Sequence, residues 1–182
     1  MPLKTVLTTV LLLAAGCQLA AREFVLDDDR SFIRFTVDAT GHQVEGHVIT
    51  FDASIDFRPD GGFPTAASVR FASRMLTTEH EERDREMFRW LEVEKHPEVV
   101  FELDSLEGSG STRIARGSLT LHGVTRGIDV PVTLSSIGPV LTLTGEAEIN
   151  THDFRLPRIQ RALVMTVARE VIVSFTLIGR LE

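Results

Sequence analysis

The stretch Val48-Ile49-Thr50-Phe51-Asp52-Ala53-Ser54-Ile55-Asp56-Phe57 decides the fold class. Ile49, Phe51, Ala53, Ile55 and Phe57 alternate with Val48, Thr50, Asp52, Ser54 and Asp56, and a period of two places successive side chains on opposite faces of a sheet. One face is apolar and the other is wet. The same period recurs in Ile33, Phe35 and Val37, in Ala67, Val69, Phe71 and Met75, and in Val99, Phe101 and Leu103. Further on it runs through Leu119 and Leu121, then Ile128, Val130, Val132 and Leu134, then Leu141, Leu143 and Ala147, and finally Val171, Val173, Phe175 and Leu177. The pattern predicts about eight strands.

Turn-forming clusters separate these runs: Pro59-Asp60-Gly61-Gly62, Gly108-Ser109-Gly110-Ser111, His122-Gly123-Val124-Thr125-Arg126-Gly127 and Ile137-Gly138-Pro139. Connections this short make neighbouring strands antiparallel hairpins. One-sided strands in this number stack as a sandwich or close into a barrel, and closure removes the open sheet edges. One segment breaks the period. Glu79 to Glu94 is dense in helix formers and sets Glu79 against Arg83 and Glu81 against Arg85 at i, i+4 spacing. This predicts one short helix over about 79–94, stopped by Lys95-His96-Pro97, with Met87, Phe88 and Leu91 packing its C-terminal end on the sheet.

Composition bounds the function classes. The 182 residues suit one domain, and 43% hydrophobic with 25% charged residues is a globular balance. A net charge of −7 argues against a nucleic-acid or anionic-lipid surface, which needs clustered Lys and Arg. The single cysteine excludes an internal disulfide and a cysteine-based zinc site. Eleven Phe, one Trp and no Tyr supply large apolar surface with few polar handles.

Residues 1–16 read as a secretory signal peptide: Lys4 leads a short apolar run from Val6 to Ala15, too short to span a bilayer. Cys17 follows Ala14-Ala15-Gly16 and resembles the lipidated cysteine of a bacterial lipoprotein box, with Leu13 four residues before it rather than three. The alternative is cleavage after Ala21, giving a signal of residues 1–21 and a secreted protein. The expected location is therefore the periplasm or the outer membrane, with membrane association only through the anchor at Cys17. Residues 22–182 are expected to form one domain, which the resemblance described next implies to be a β-barrel.

The ordered segments Ser31-Phe32-Ile33-Arg34-Phe35-Thr36-Val37, Val44-Glu45-Gly46, Arg83-Asp84, His96-Pro97-Glu98-Val99-Val100-Phe101 and Gly117-Ser118-Leu119-Thr120-Leu121-His122-Gly123-Val124-Thr125 carry a resemblance. Together they resemble the YceI family of bacterial envelope proteins, over roughly Phe24 to Leu181. Asn150-Thr151-His152-Asp153-Phe154-Arg155 keeps the Asn, Asp and Phe of the family's later motif and lacks its Arg and Gly. The resemblance implies an all-β, antiparallel, lipocalin-like barrel whose apolar cavity binds a long-chain amphiphilic lipid, typically a polyisoprenoid or isoprenoid quinone, without covalent cofactor and without catalysis.

The inward set expected to line such a cavity is Phe35, Ile49, Phe51, Ile55, Phe57, Val69, Phe71, Phe101, Leu103, Leu119, Leu121, Val130, Val132, Leu143, Val173 and Phe175, with Met87 and Phe88 from the helix. Apolar strand faces also fill solid cores, so the second reading is a filled barrel acting as an envelope interaction module through its acidic surface. A homodimer is left open by the sequence. His42, His47, His80, His96, His122 and His152 lack the spacing of a metal motif, so no metal is expected. His122 reads as a hydrogen-bonding turn residue. The enzyme reading rests on Asp84 with Glu86 and His80, or Asp153 with His152, and neither grouping has the spacing of a nucleophile-and-base device.

Overall fold

The computed structural model describes residues 22–58, 62–161 and 165–182. The signal segment, Cys17 and the Pro59-Asp60-Gly61 part of one expected turn lie outside the described residues. Among the described residues no helix is long and apolar enough to cross a membrane.

The strands are β1 (Arg22–Leu26), β2 (Phe32–Ala39), β3 (His42–Val48), β4 (Asp52–Phe57), β5 (Pro64–Ala72), β6 (Leu76–Thr77), β7 (Glu98–Glu107), β8 (Thr112–Leu121), β9 (Val124–Ile137), β10 (Val140–Asn150), β11 (Gln160–Arg161) and β12 (Met165–Leu181). One helix, α1 (Glu81–Trp90), joins β6 to β7. All pairings are antiparallel, and they close into a ring. β12 pairs with β10 on one side and with both β1 and β2 on the other. β1 and β2 pair in turn with β4 and β3, β4 and β3 with β5 and β6, and β5 continues through β7, β8 and β9 back to β10.

Three positions of this eight-strand barrel are thus occupied by broken strands. β1 and β2 are two halves of one position, interrupted at Asp27–Ser31, where the Ser31 hydroxyl accepts from the Ile178 amide at 3.0 Å. β5 and β6 are separated by a 3-10 turn at Ser73–Met75. β3 and β4 are separated by a corner at Ile49, Thr50 and Phe51.

That corner corrects the continuous alternation read over Val48 to Phe57. Val44, Gly46 and Val48 face inward on β3, whereas Ile55 and Phe57 face inward on β4, so the phase slips by one residue in between. A single extra residue exchanges the faces of everything before it. Ile49, expected in the lumen, is 58% exposed, and Val48 is buried in its place. The Ile49 amide donates to the Met75 carbonyl at 2.8 Å, which fixes the corner against the 3-10 turn.

The helix is shorter than the charge pattern suggested, because both flanks adopt left-handed backbone, Glu79 at φ 58° and Glu92 at φ 47°. His80 caps the start, its Nδ1 accepting from the Arg83 amide, with Glu81, Glu82 and Asp84 in the first turn and Arg89 in the last. This charge order complements the helix dipole. The end is a Schellman motif: Val93 N–H donates to Phe88 O and Glu92 N–H to Arg89 O, both at 3.2 Å.

A recurring device shapes the wall. Gly46, Gly117, Gly145 and Gly179 lie on inward faces, and each is covered by the ring of a phenylalanine on a neighbouring strand, respectively Phe35, Phe101, Phe175 and Phe24. A Cβ on Gly117 or Gly145 would fall 2.6 Å from its ring, so only glycine admits the aromatic there. Each ring is thereby placed over the backbone of the strand beside it. Gly117→Ala is expected to cost ~1–3 kcal/mol through overpacking. Gly127→Ala, whose methyl would meet nothing within 4 Å, is expected to change stability by no more than about 0.5 kcal/mol. Thermal unfolding of the two variants measures the difference.

Candidate ligand-binding cavity

One end of the barrel is solid. Phe24, Ile55, Phe57, Leu143 and Leu177 are all buried there, with the Phe24 and Phe57 rings 5.9 Å apart. Above this base the rings of Phe35, Phe101 and Phe175 border a lumen of about 910 Å³. Its wall is apolar: Val37 and Val44 from the β2–β3 hairpin, Val69 and Phe71 from β5, Val130 and Val132 from β9, and Ala147 and Val173 from β10 and β12.

The other end is polar. Except for Arg34, the charged groups and histidines that border the lumen among the described residues come from α1 and the residue before it (His80, Glu82, Arg83, Glu86, Arg89), from Arg158 and Arg169, and from His42 at the hairpin tip. Met87, Trp90 and Leu91 turn inward beneath this rim. Trp90 Nε1 donates to the Pro157 carbonyl at 2.7 Å and ties α1 to the segment after β10. The residues therefore build a blind, apolar tube with charge gathered at its mouth.

The YceI-like domain model matches residues 24–178. The chain belongs to the YceI family. A UPF0312 protein of Pseudomonas savastanoi is 30% identical over 157 residues, covering 79% of this chain and 80% of that one. Among solved structures, Burkholderia cenocepacia BcnA is similar with a TM-score of 0.76 at 20% identity, over 85% of this chain and 99% of that chain. A structure described as a polyisoprenoid binding domain from Saccharophagus degradans, implicated in plant cell wall breakdown, has a TM-score of 0.66 at 16% identity, over 91% and 100% of the two chains.

In this YceI barrel, Phe35, Ile55, Val69, Phe71, Met87, Phe101, Leu103, Leu119, Leu121, Val130, Val132, Leu143, Val173 and Phe175 border the lumen. Four other residues of the expected set do not. Phe57 is fully buried in the base, and Phe51 packs against that base from the corner. Phe88 packs with Leu91, Val93 and Phe154 beside the mouth. Ile49 faces solvent for the reason given by the phase slip. Sequence reading missed Val44 and Val48, which the assumed register turned outward, and the Arg158 and Arg169 rim, which has no local pattern.

Of the acid and histidine groups considered for catalysis, Asp84 and His80 are engaged structurally. Asp84 accepts from Thr77 Oγ1 at 2.7 Å, from the Thr78 amide at 2.9 Å and from the Thr78 hydroxyl. Arg83 closes the same knot on Thr78, donating to its hydroxyl and carbonyl at 2.8 Å each. His80 is the helix cap. His152 and Asp153 lie exposed in a 3-10 turn at Thr151–Phe154. His96 and His122, distant in sequence, are brought together edge-on with centroids 4.4 Å apart. Glu92 joins them and is held below its ordinary value by hydrogen bonds from Lys95 and His122.

Burial pushes the Asp84 carboxyl upward, but the Thr78 and Thr77 hydroxyls, the Thr78 amide and the Arg83 charge together hold it below its ordinary 3.8. A depressed folded value stabilises the fold above the unfolded value, and that contribution disappears as pH falls through the folded one. Asp84→Asn is therefore expected to lower the melting temperature at neutral pH. The wild-type and variant curves should converge on acidification below about pH 4, as melting series across pH will register.

Proposed function

We propose that this protein binds a long-chain apolar amphiphile of the polyisoprenoid class, such as an isoprenoid quinone, and sequesters or carries it in the bacterial cell envelope. The observation that carries this reading is the blind tube of about 910 Å³, apolar along its length and, among the described residues, charged only around its mouth except at Arg34. A molecule complementary to that tube has a long apolar chain and a polar head left at the rim. The neighbour described as a polyisoprenoid binding domain supports the same class of ligand.

Energetics make a polar anchor unnecessary. Each buried methylene-sized unit contributes about 0.8 kcal/mol, so roughly ten buried carbons supply about 8 kcal/mol, a micromolar affinity before the cost of ordering the chain. No chemical step is assigned: Asp84 spends its oxygens on Thr77 and Thr78, His80 caps α1, and His152 and Asp153 lie exposed on a 3-10 turn. The hollow lumen also disfavours the filled-barrel reading. The apolar leader of residues 1–16 supports export, and Cys17 is proposed as the lipid anchor that would hold the protein at the membrane.

Native mass spectrometry of the protein purified gently from its own host, followed by organic extraction, tests the proposal. The expected result is an excess mass of several hundred daltons matching a prenyl or acyl compound. A bare mass that persists after incubation with isoprenoid quinones would refute it. Ala147→Phe, which projects a ring into the lumen, is expected to abolish retention. Glu146→Phe, one residue away on the exposed face, should leave it unchanged.

A further inference from the structure

Beside the mouth, three elements meet at a cluster that the cavity does not use. Glu92 follows α1, His96 ends the turn leading to β7, and His122 opens the β8–β9 hairpin. One ligand atom from each lies within 4.8 Å of the others. His122 Nε2 and Glu92 Oε2 are 3.3 Å apart, and the His122 side chain is only 11% exposed.

The hydrogen bonds define what this pair requires. His122 Nδ1 lies 3.1 Å from the Phe154 carbonyl, which can only accept, so Nδ1 carries a proton. Nε2 faces Glu92 Oε2 at 3.3 Å, so the pair requires a positive centre between them: a second ring proton, which makes the contact a hydrogen bond, or a metal ion in the proton's place. A metal-bound histidine commonly donates its second nitrogen to a backbone carbonyl, which is the arrangement seen here.

Backbone strain adds an independent observation. Glu92 sits at φ 47° in the Schellman position that favours glycine, and His122 at φ 51° in the hairpin turn that favours asparagine or glycine. Both residues keep a functional side chain at the cost of a left-handed conformation. The third member is pinned from behind: the Ser73 hydroxyl donates to the His96 carbonyl at 2.9 Å, and the Ser73 amide to the Pro97 carbonyl at 2.7 Å. Lys95 occupies the other oxygen of Glu92, Oε1, at 2.5 Å, leaving Oε2 for the cluster.

We infer that Glu92, His96 and His122 form a binding site for a divalent transition-metal ion of the zinc class. Two imidazoles and a carboxylate are a borderline donor set that suits such ions better than calcium or magnesium. Bonds of about 2.0–2.2 Å in a tetrahedron place ligand atoms roughly 3.3–3.5 Å apart, so the Glu92–His122 edge is already formed and His96 closes by at most about 1.5 Å. Water completes the shell. The ion would join the end of α1 to the β8–β9 turn and so fasten the helix over the mouth, whatever the lumen holds.

The test uses the purified mature protein, stripped with chelator and titrated with zinc chloride by calorimetry and with cobalt chloride by visible absorption. One saturable site per chain, with the intense d–d bands of low-coordinate cobalt, is expected. Glu92→Gln and His122→Asn should each weaken zinc binding at least tenfold. Asparagine tolerates the left-handed turn, and circular dichroism verifies that both variants fold. His42→Gln and His152→Gln should bind as the wild type does. Absence of a saturable site would mean that a proton bridges His122 and Glu92 and would overturn the inference, as would binding undiminished in both cluster variants.

Discussion

The lumen depends on three phenylalanine rings, Phe35, Phe101 and Phe175, that line its wall over the neighbouring strands. Each needs a glycine there, and the close approaches at Gly46, Gly117 and Gly145 provide it. A small barrel with ordinary inward side chains packs itself solid. Here the aromatic surface that would fill the centre is turned into lining, and the lumen inherits a smooth apolar wall. Closure at the base by Phe24 and Phe57, and the gathering of charge at the opposite end, then give the tube a direction.

The mouth is held by polar contacts of a different kind. Asp84 and Arg83 bind the start of α1 to Thr77 and Thr78, Trp90 binds its end to Pro157, and Glu92 reaches His122. Each contact joins the helix to a separate part of the rim. The helix has no fully buried residue of its own, so its placement depends on these anchors together with the half-buried Met87, Phe88 and Trp90.

Strand content, antiparallel order and the one helix were legible because alternation and turn composition are local properties of the chain. The register was legible where a strand runs without a bulge, as over Ala67 to Phe71 of β5, Ile128 to Val132 of β9 and Val171 to Leu177 of β12, whose inward residues are those the pattern picks out. It failed at Ile49, because a corner changes the phase without changing composition: the residues across it still alternate on paper. The rim and the Glu92–His96–His122 cluster were invisible for another reason. Arg158, Arg169 and the two histidines come together through barrel closure, and no spacing along the chain encodes that. Glu92 and His96 stand four apart, but the link that gives the spacing meaning is His122, on another hairpin.

β12 has a consequence for how the barrel is made. This 17-residue strand is the seam, pairing with β10 along one edge and with β1 and β2 along the other. Its partners include Phe24, opposite Leu181, at the far end of the described chain. The ring therefore cannot close until nearly the whole chain is available, and the closing contacts are those of greatest sequence separation, which form slowly. During that interval β10 and the β1–β2 edge remain open, with the future lumen wall exposed to water. Such an intermediate is sticky. The strand that seals the barrel is thus also the one whose late arrival leaves apolar wall and unpaired edge exposed together, the two features that drive aggregation.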